Sequence, residues 1–427
     1  MTAPRNRARP RPRRAGSCAA LALLTLSAGP GCDRRAPASH RRVVEPAVDA
    51  PAPRFDASRR CALRASPPTP IADVEALAGV SVAWSGTHFG VVWGDTVDGE
   101  RMVRFARVAA NGALLGSPLR LSETHTQAAD PAITWNGTSW VVVWSGGLRE
   151  PEDIYQGRVD ARGTAAGRPW RMTRERRRTD LQPRIESTAQ GFGIAWVSRT
   201  SVGRWRLYAQ ALDAFDAPRA FPAMLLETGV SLAETGLVWT GSQWGVSALG
   251  VQSEVLRVEF ARMDARGYTL GSLNRLTPHA IGGIDPRGRY AIAWDGSGFF
   301  VAWSEVTAGA SHVFVRRATA RGNLIGDALD LREEGESADT PALAPAGEGS
   351  VVAAWLVSRE GRARLRVRTL DASSRLQEGR VEVQDHDGSA GRPVVTVGGD
   401  TLALISAAAG SLTLHRVALG PCPIRGY

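Results

Sequence analysis

Short apolar segments alternate with glycine turns along most of the chain. In AITWNGTSWVVVWSG, at 132–146, two apolar segments that contain tryptophan flank an Asn-Gly pair. Because Asn-Gly tolerates the positive φ angles of tight hairpin turns, the two segments are predicted to pair as antiparallel strands. Equivalent turns, with the sequences SG, TG and DG, follow apolar segments that end at Trp84, Trp239 and Trp294.

The pattern repeats seven times at a nearly constant spacing. The residues equivalent to the last tryptophan of that stretch are Trp93, Trp144, Trp196, Ala248, Trp303, Trp355 and Ser406. They follow one another at intervals of 51, 52, 52, 55, 52 and 51 residues. Each unit continues with a third strand and a glycine turn, and a fourth strand follows in all but the last. We therefore predict an all-β fold, a seven-bladed β-propeller with four-stranded blades.

Tryptophan is concentrated at the repeat positions, which hold eleven of the 13 tryptophans in the chain. Twisted sheets packed in a ring leave wedge-shaped gaps, and a large flat side chain fills such a gap. Burial of one tryptophan contributes at most roughly 4 to 6 kcal/mol. The tryptophans are therefore interpreted as packing between blades rather than as an aromatic ligand cage. The third, fourth and seventh units lack one or both of them, so their boundaries are less well defined.

The N-terminal segment has the features of an export signal. Six arginines precede an apolar run, CAALALLTLSAG, that is too short to cross a bilayer as a mature helix. The run leads to GPGC, which predicts cleavage and lipidation at Cys32, with ordinary signal cleavage nearby as the alternative. Residues 33–60 are rich in Arg, Pro and Ala and predict a disordered tether. The predicted domains are a signal peptide at 1–31, the anchor and tether at 32–60, and the propeller at 61–427.

The net charge of +10 belongs mostly to this leading segment. Residues 1–42 contain ten arginines and one aspartate, which leaves the remaining chain at about +1. A nearly neutral folded part in an exported protein argues against a nucleic-acid partner.

The cysteines bear on how the ring closes. The seventh unit lacks a fourth strand, and CALRAS at 61–66 resembles the fourth-strand pattern, so this segment is predicted to complete the seventh blade. That closure brings Cys61 beside Cys422, the two cysteines left once Cys18 departs with the signal and Cys32 carries lipid. In an oxidising compartment a Cys61 to Cys422 disulfide is predicted. Closing so long a loop stabilises by roughly 4 to 5 kcal/mol in the entropic account.

Taken together, these features resemble bacterial secreted or lipoprotein β-propellers over residues 61–427. The resemblance is carried by the signal that ends in cysteine, the tether, and repeats of the form apolar-W-x-G-x-x-aromatic-x-V-x-W followed by R-x-D-x-x-G. It implies a fold and a place in the cell envelope. It implies no catalytic residues, because such proteins mostly have no assigned activity.

Motifs for catalysis are scarce in the sequence. The chain has no HExxH, GxSxG, Walker, GxGxxG or CxxC motif, and its seven histidines are not spaced as metal ligands. The turn aspartates Asp160, Asp264 and Asp371 each offer one ligand where a calcium loop needs several, and are predicted to accept backbone hydrogen bonds instead. We therefore expect no metal and no cofactor.

An aspartate recurs just before the first strand of three units, at Asp130, Asp180 and Asp339. In a propeller, the loops that lead into a new blade open on one face near the central channel. Convergence of these carboxylates there would suit a cation or a basic group. Capping of the local turn is the simpler alternative.

The loops between second and third strands share that face and vary most among the units. In the third unit this region presents Arg199, Arg204, Trp205 and Arg206. Trp205 lies outside the repeat pattern, and a tryptophan flanked by arginines is typical of interfaces and sugar sites. The alternative is that Trp205 covers a neighbouring blade.

These patterns predict a non-catalytic, monomeric lipoprotein of the cell envelope, held to the membrane by its lipid anchor only. It would bind an envelope protein or a polysaccharide on its loop-bearing face. The alternative is an envelope hydrolase, such as a glycosidase, that uses Asp130 with Glu186 or Asp180. Such an enzyme needs two carboxyls about 5 to 10 Å apart in a concave site.

Overall fold

The strands form seven antiparallel sheets, one for each repeat unit, arranged as the blades of a ring. The computed structural model describes residues 62–148, 151–252, 255–277, 290–307, 309–347, 349–384, 392–408 and 410–420. Within these ranges the regular structure is entirely β. The predicted seven-bladed propeller with four-stranded blades is confirmed, and the third, fourth and seventh units form blades as complete as the others.

The chain enters through two strands that belong to the last blade, β1 (Ala62–Ala65) and β2 (Thr69–Asp73). The first blade then contains β3 (Val80–Trp84), β4 (His88–Val97), β5 (Glu100–Ala109) and β6 (Leu119–Arg120). The second contains β7 (Ala129–Trp135), β8 (Ser139–Gly146), β9 (Asp153–Asp160) and β10 (Trp170–Arg171). The third contains β11 (Arg178–Thr188), β12 (Gly191–Thr200), β13 (Trp205–Asp213) and β14 (Ala223–Thr228).

The remaining blades follow the same order. The fourth contains β15 (Ser231–Trp239), β16 (Gln243–Gln252), β17 (Val255–Asp264) and β18 (Asn274–Arg275). The fifth contains β19 (Tyr290–Trp294), β20 (Gly298–Thr307), β21 (Ala310–Thr319) and β22 (Leu324–Asp330). The sixth contains β23 (Ser337–Gly347), β24 (Ser350–Arg359), β25 (Arg362–Leu370) and β26 (Leu376–Gln384). The seventh contains β27 (Val394–Gly398), β28 (Thr401–Ala408) and β29 (Ser411–Gly420).

The first strand of each blade lies at the centre of the ring and contacts the first strands of both neighbouring blades. We call the side on which the first strands begin the mouth face; it also carries the loops between second and third strands, such as 201–204. The opposite side is the turn face, which carries the turns between third and fourth strands, such as 161–169 and 214–222. Because successive strands are antiparallel, the third strands run from the mouth face to the turn face.

The turns between first and second strands owe their shape to one polar side chain and one glycine. In the second blade Asn136 Oδ1 accepts hydrogen bonds from the N–H groups of Thr138 and Ser139, at 3.1 and 2.8 Å. Gly137 follows with a φ of 94°. The hairpin is therefore a four-residue turn capped by asparagine, in which glycine alone takes the positive φ angle.

The turn aspartates close the connections between third and fourth strands, as predicted. Asp160 Oδ1 accepts the N–H groups of Arg162 and Thr164 at 2.9 and 2.8 Å. Asp264 and Asp371 each accept two backbone N–H groups in the same way. Since one carboxylate oxygen satisfies two turn donors, these residues have a structural explanation.

Three of the interfaces between blades pack an aromatic side chain of one blade on a second-strand glycine of the blade before it. Trp140 lies against Gly90, where an added Cβ would be 2.5 Å from the indole Nε1. Trp244 and Phe299 fill the equivalent spaces over Gly193 and Gly245. Trp93, Trp144 and Trp355 at the repeat positions are likewise fully buried. The interpretation of the tryptophans as packing between blades is confirmed.

The seventh blade is closed by the N-terminal segment, as the sequence predicted. β1 pairs antiparallel with β29, and Ala62 lies opposite Gly420. β2 pairs with the other half of β29, where Asp73 lies opposite Ser411, so two short strands share the role of the missing fourth strand. Cys61 and Cys422 lie outside the described residues, as does Cys32, so the disulfide and the lipidation site stay predictions.

Candidate binding site at the channel mouth

A cavity of about 810 Å³ opens at the centre of the ring. Every blade contributes to its wall through the beginning of its first strand. The contributing residues include Val80, Pro131, Arg184, Glu234, Tyr290, Ala342 and Val394. The cavity is therefore built from residues about 50 positions apart along the chain, brought together by ring closure alone.

Four of the first strands contain a bulge next to this cavity. At the bulge, Asp130, Gln182, Glu234 and Thr340 adopt φ angles of 51°, 52°, 49° and 49°. The strand register shifts at these same positions in the second, third, fourth and sixth blades. A left-handed conformation is unfavourable for residues other than glycine by roughly 1 to 2 kcal/mol. Its recurrence shows that the ring fixes the backbone at the channel mouth.

Arg184 and Asp130 face this cavity as charged groups without a matching ion pair. Arg184 Nη1 donates to the backbone O of Pro183 at 2.9 Å. Among the described residues no carboxylate oxygen lies within 4.0 Å of its guanidinium, and no cationic nitrogen lies within 4.0 Å of the Asp130 carboxylate. Burial, followed by the nearby guanidinium of Arg392, lowers the pKa of Arg184. Burial raises the pKa of Asp130, although Arg184 opposes that shift.

Arg392, in contrast, has both an ion-pair partner and a backbone hydrogen-bond partner. Its Nη1 lies 2.8 Å from Glu234 Oε2, and its Nη2 donates to the backbone O of Tyr290 at 2.6 Å. The Tyr290 hydroxyl is 3.0 Å from Ser247 Oγ, and burial raises its pKa. Arg392 therefore joins the fourth and fifth blades to the start of the seventh, and its positive charge is balanced by Glu234.

Gln182 links the third blade to the fourth at the same level. Its side-chain oxygen accepts the backbone N–H of Glu234, and its backbone oxygen accepts the hydroxyl of Thr235. These contacts fix Glu234, which in turn positions Arg392. Neighbouring side chains thus form a rigid frame around the unpaired Arg184.

Of the three recurring aspartates, only Asp130 lines the cavity. Asp180 is buried on the third blade, where it accepts a hydrogen bond from Ser198 Oγ and lies 3.1 Å from Arg178 Nε. Burial raises the pKa of Asp180. Asp339 does not line the cavity either, and its Oδ1 accepts the backbone N–H of the next residue, Thr340, at 2.6 Å.

Glu186, which the hydrolase alternative pairs with Asp130, also lies away from the cavity wall. Its Oε2 accepts the backbone N–H of Trp239 at 3.0 Å, between the third and fourth blades. Burial raises its pKa to about 8. The carboxyl pairs named for a hydrolase therefore do not share the cavity.

The arginines around Trp205 contact residues of the same blade. Arg204 and Arg206 both pair with Glu227, at 3.4 and 2.6 Å. The Arg199 guanidinium lies 5.9 Å from the Trp205 ring centroid. Trp205 itself is half-buried and packs against the apolar cluster that joins the third and fourth blades. This placement matches the alternative that Trp205 covers a neighbouring blade, and the role of the group in binding stays a prediction.

Sequence reasoning missed Arg184, Glu234, Tyr290 and Arg392. A signal for the channel mouth was present, because a proline follows the bulge residue in the second, third and sixth units, at Pro131, Pro183 and Pro341. Proline lacks an N–H donor, so within sheets it is found at edges and bulges. The recurring proline marks the bulge in these three first strands, although it does not show which side chains face the channel.

Within the described ranges, no group of three or more His, Cys, Asp and Glu side chains is placed to hold a metal ion. The same part of the chain contains no helix of the length and apolar character needed to cross a membrane.

No known protein family matches the sequence, and no curated protein is similar to it. Among solved structures, the chain is similar to the β-propeller domain of the Trilobed protease from Pyrococcus furiosus, with 10% identity, a TM-score of 0.46, and coverage of 82% of this chain and 96% of that chain. It is similar to the subtype N10 neuraminidase-like protein of A/little yellow-shouldered bat/Guatemala/060, with 10% identity, a TM-score of 0.46, and coverage of 84% and 98%.

A third similar structure is the acylaminoacyl peptidase of Pyrococcus horikoshii, with 10% identity, a TM-score of 0.44, and coverage of 79% of this chain and 50% of that chain. Likenesses this remote carry no inference about activity. The assignment as a β-propeller rests on the strand order and pairing of the chain itself.

Proposed function

We propose that the protein is a lipid-anchored binding module of the cell envelope whose channel mouth holds an anionic group of an envelope polysaccharide. The observation that carries this proposal is the Arg184 guanidinium, which faces an open cavity without an acidic partner among the described residues. A partly buried cation with no carboxylate at ion-pair distance is unfavourable, and a ligand carboxylate or phosphate would supply a direct counter-charge through two parallel hydrogen bonds.

The other groups of the cavity suit a sugar. A volume of about 810 Å³ lies within the range of roughly 300 to 1,000 Å³ that is usual for small-ligand sites. The unpaired Asp130 carboxylate is an acceptor for sugar hydroxyls or an amino group. Apolar wall residues such as Val80 and Ile292 suit the aliphatic face of a sugar ring. Export and attachment through Cys32 are part of the proposal and rest on the N-terminal sequence.

Binding, rather than hydrolysis, is the function that these contacts support. A glycosidase needs two carboxyls that face one bound sugar. The described carboxyls of the cavity wall are Glu75, Asp130 and Glu234. Glu234 is already bound to Arg392, and neither Asp180 nor Glu186 reaches the wall.

The test is binding of acidic and neutral oligosaccharides to the wild type, to Arg184→Gln, and to a variant with Arg204, Trp205 and Arg206 all changed to alanine. We expect retention of acidic fragments only, with a loss of roughly tenfold to a hundredfold in Arg184→Gln, because a hydrogen-bonded charge contributes about 1.5 to 3 kcal/mol. The triple variant should bind as the wild type does.

The opposite result, loss in the triple variant alone, would move the site to the third blade. Equal binding of acidic and neutral fragments would contradict the proposal that the ligand is anionic. Capture of an envelope protein through Arg184, with no oligosaccharide retained, would replace the polysaccharide with a protein partner.

A further inference from the structure

The chain enters the propeller on the turn face. Ala62, the first described residue, pairs with Gly420 at the end of β29, and Asp73 pairs with Ser411 at its beginning. Since β29 is a third strand, it runs from the mouth face to the turn face. The described chain therefore begins, at Ala62, on the side of the ring opposite the channel mouth.

The turn face carries three exposed aromatic side chains on the blades farthest from that entry point. Phe215 and Phe221 of the third blade are 89% and 94% exposed, and Tyr268 of the fourth blade is 62% exposed. The two turns touch, because a Cβ on Gly267 would lie 3.3 Å from the Cβ of Ala220. Exposed aromatic side chains that are grouped in this way mark an interaction surface.

Arginines of the same turns project from this face. Arg162, Arg266, Arg321 and Arg375 are exposed and form no ion pair among the described residues. The aspartates of these turns are only partly exposed, and each gives one oxygen to two backbone N–H groups. In these turns between third and fourth strands, the outermost charges are therefore positive, and the aspartates lie closer to the strands.

We propose that the turn face lies against an anionic lipid bilayer, with the aromatic patch of Phe215, Phe221 and Tyr268 in the headgroup region. Aromatic side chains beside arginines are the composition of surfaces that bind at the membrane interface, and arginine is attracted to anionic headgroups. The proposal rests on the lipid attachment at Cys32 in the proposed function. The tether supplies one point of attachment at the seventh blade, and the patch supplies a second across the ring.

Two points of attachment on opposite sides of the ring fix its orientation, whereas the lipid anchor alone does not. In this orientation the channel mouth and Arg184 face away from the membrane that holds the anchor. The cavity is then open to polymers that approach from the surrounding compartment.

The test uses the full lipidated chain in vesicles of phosphatidylethanolamine and phosphatidylglycerol, and in detergent. Hydroxyl-radical oxidation of individual side chains, read by mass spectrometry, reports their exposure. We expect oxidation of Phe215, Phe221 and Tyr268 to fall roughly threefold or more on vesicles. Val202 is the matched control, because it is 81% exposed on the mouth face, and its oxidation should not change.

A variant with Phe215, Phe221 and Tyr268 all changed to serine gives a second measurement. It should still float with vesicles through its lipid, while oxidation of Leu273, on the same turn face, returns to its level in detergent. Flotation without protection of the aromatic patch in the wild type would overturn the orientation and leave the lipid anchor intact. Failure of the wild type to float would overturn the anchor and the orientation together.

Discussion

The contacts between blades and the contacts at the channel mouth follow opposite chemistry, although both are made by the same repeat. Between blades, an aromatic ring of one sheet rests on a glycine of the sheet before it, as Trp140 does on Gly90. At the mouth, the repeat places charged and amide side chains, and Arg184 and Asp130 lack an ion-pair partner among the described residues. The interfaces between blades are closely packed and apolar, whereas the mouth keeps charged side chains that lie beyond ion-pair distance of a partner among the described residues.

At the interfaces between blades, the two facing side chains have complementary sizes, although the size at a given repeat position varies from blade to blade. Where the second strand of the first blade has Gly90, the second blade supplies Trp140. Where the fifth blade has the buried Phe300, the sixth supplies Val351 in place of an aromatic residue. The gap between blades has a fixed width, so a large side chain on one side requires a small one on the other.

The largest expected effect comes from breaking this complementarity. Gly90→Ala places a Cβ 2.5 Å from Trp140 Nε1 and should reduce the free energy of unfolding by about 2 to 3 kcal/mol. Gly250→Ala is the matched control, because a Cβ at that second-strand glycine has its nearest neighbour at 3.6 Å. Equilibrium urea denaturation measures both. Equal losses in the two variants would show that glycine is needed for its backbone and not for the space it leaves.

A smaller loss is expected at the frame of the channel mouth. Arg392→Gln removes the ion pair with Glu234 and the hydrogen bond to the Tyr290 carbonyl. It should reduce the free energy of unfolding by about 1 to 3 kcal/mol, since the partners remain partly buried. Calorimetry of this variant beside Arg364→Gln, whose pair with Glu382 lies at the surface, separates a structural pair from an exposed one. Equal losses would contradict the role of Arg392 as a link between blades.

Glu186, which lies between the third and fourth blades, is expected to make the stability of the protein depend on pH. Its pKa is raised from 4.5 to about 8 by burial, so above pH 4.5 the unfolded chain ionises while the folded carboxyl stays protonated. Stability contributed by this group is therefore full below pH 4.5 and is lost as the pH rises toward 8. Glu186→Gln should match the wild type near pH 4.5 and unfold roughly five degrees higher at pH 8. A gap in Tm that did not grow with pH would contradict this account.

The smallest effect on stability is expected at Arg184. Arg184→Gln removes a partly buried positive charge that has no ion-pair partner among the described residues, so the free energy of unfolding should change by less than about 0.5 kcal/mol or increase slightly. Denaturation of Arg184→Gln beside Arg392→Gln measures the contrast within one cavity. A loss as large as that of Arg392→Gln would show that Arg184 is structural.

Much of the fold was predictable because its signals are local and repeated. The interval of about 50 residues, the Asn-Gly and Asp-Gly turns and the fourth-strand pattern of CALRAS gave the blade number, the strand order within each blade and the position of ring closure. The turn aspartates were assigned correctly for the same reason. The second closing strand, Thr69–Asp73, was missed because its sequence, TPIAD, lacks the repeat pattern.

The candidate site was predictable only in part. Asp130 was found because aspartate recurs before the first strand, but Asp180 and Asp339, chosen by the same rule, lie elsewhere. A shift of one or two positions relative to the bulge decides whether a side chain faces the channel or the blade. Arg184 and Arg392 belong to no motif, since the other units have unrelated residues at the equivalent positions.

The sequence by itself determined the seven blades, their antiparallel strands and the residues that fill the gaps between them, because each depends on a pattern of apolar residues and turns within about 50 positions. Only the tertiary structure decided which side chains meet at the channel mouth and which turn residues share a face with the N-terminal strand. Those groups lie on different blades, and closure of the ring alone determines the distances between them.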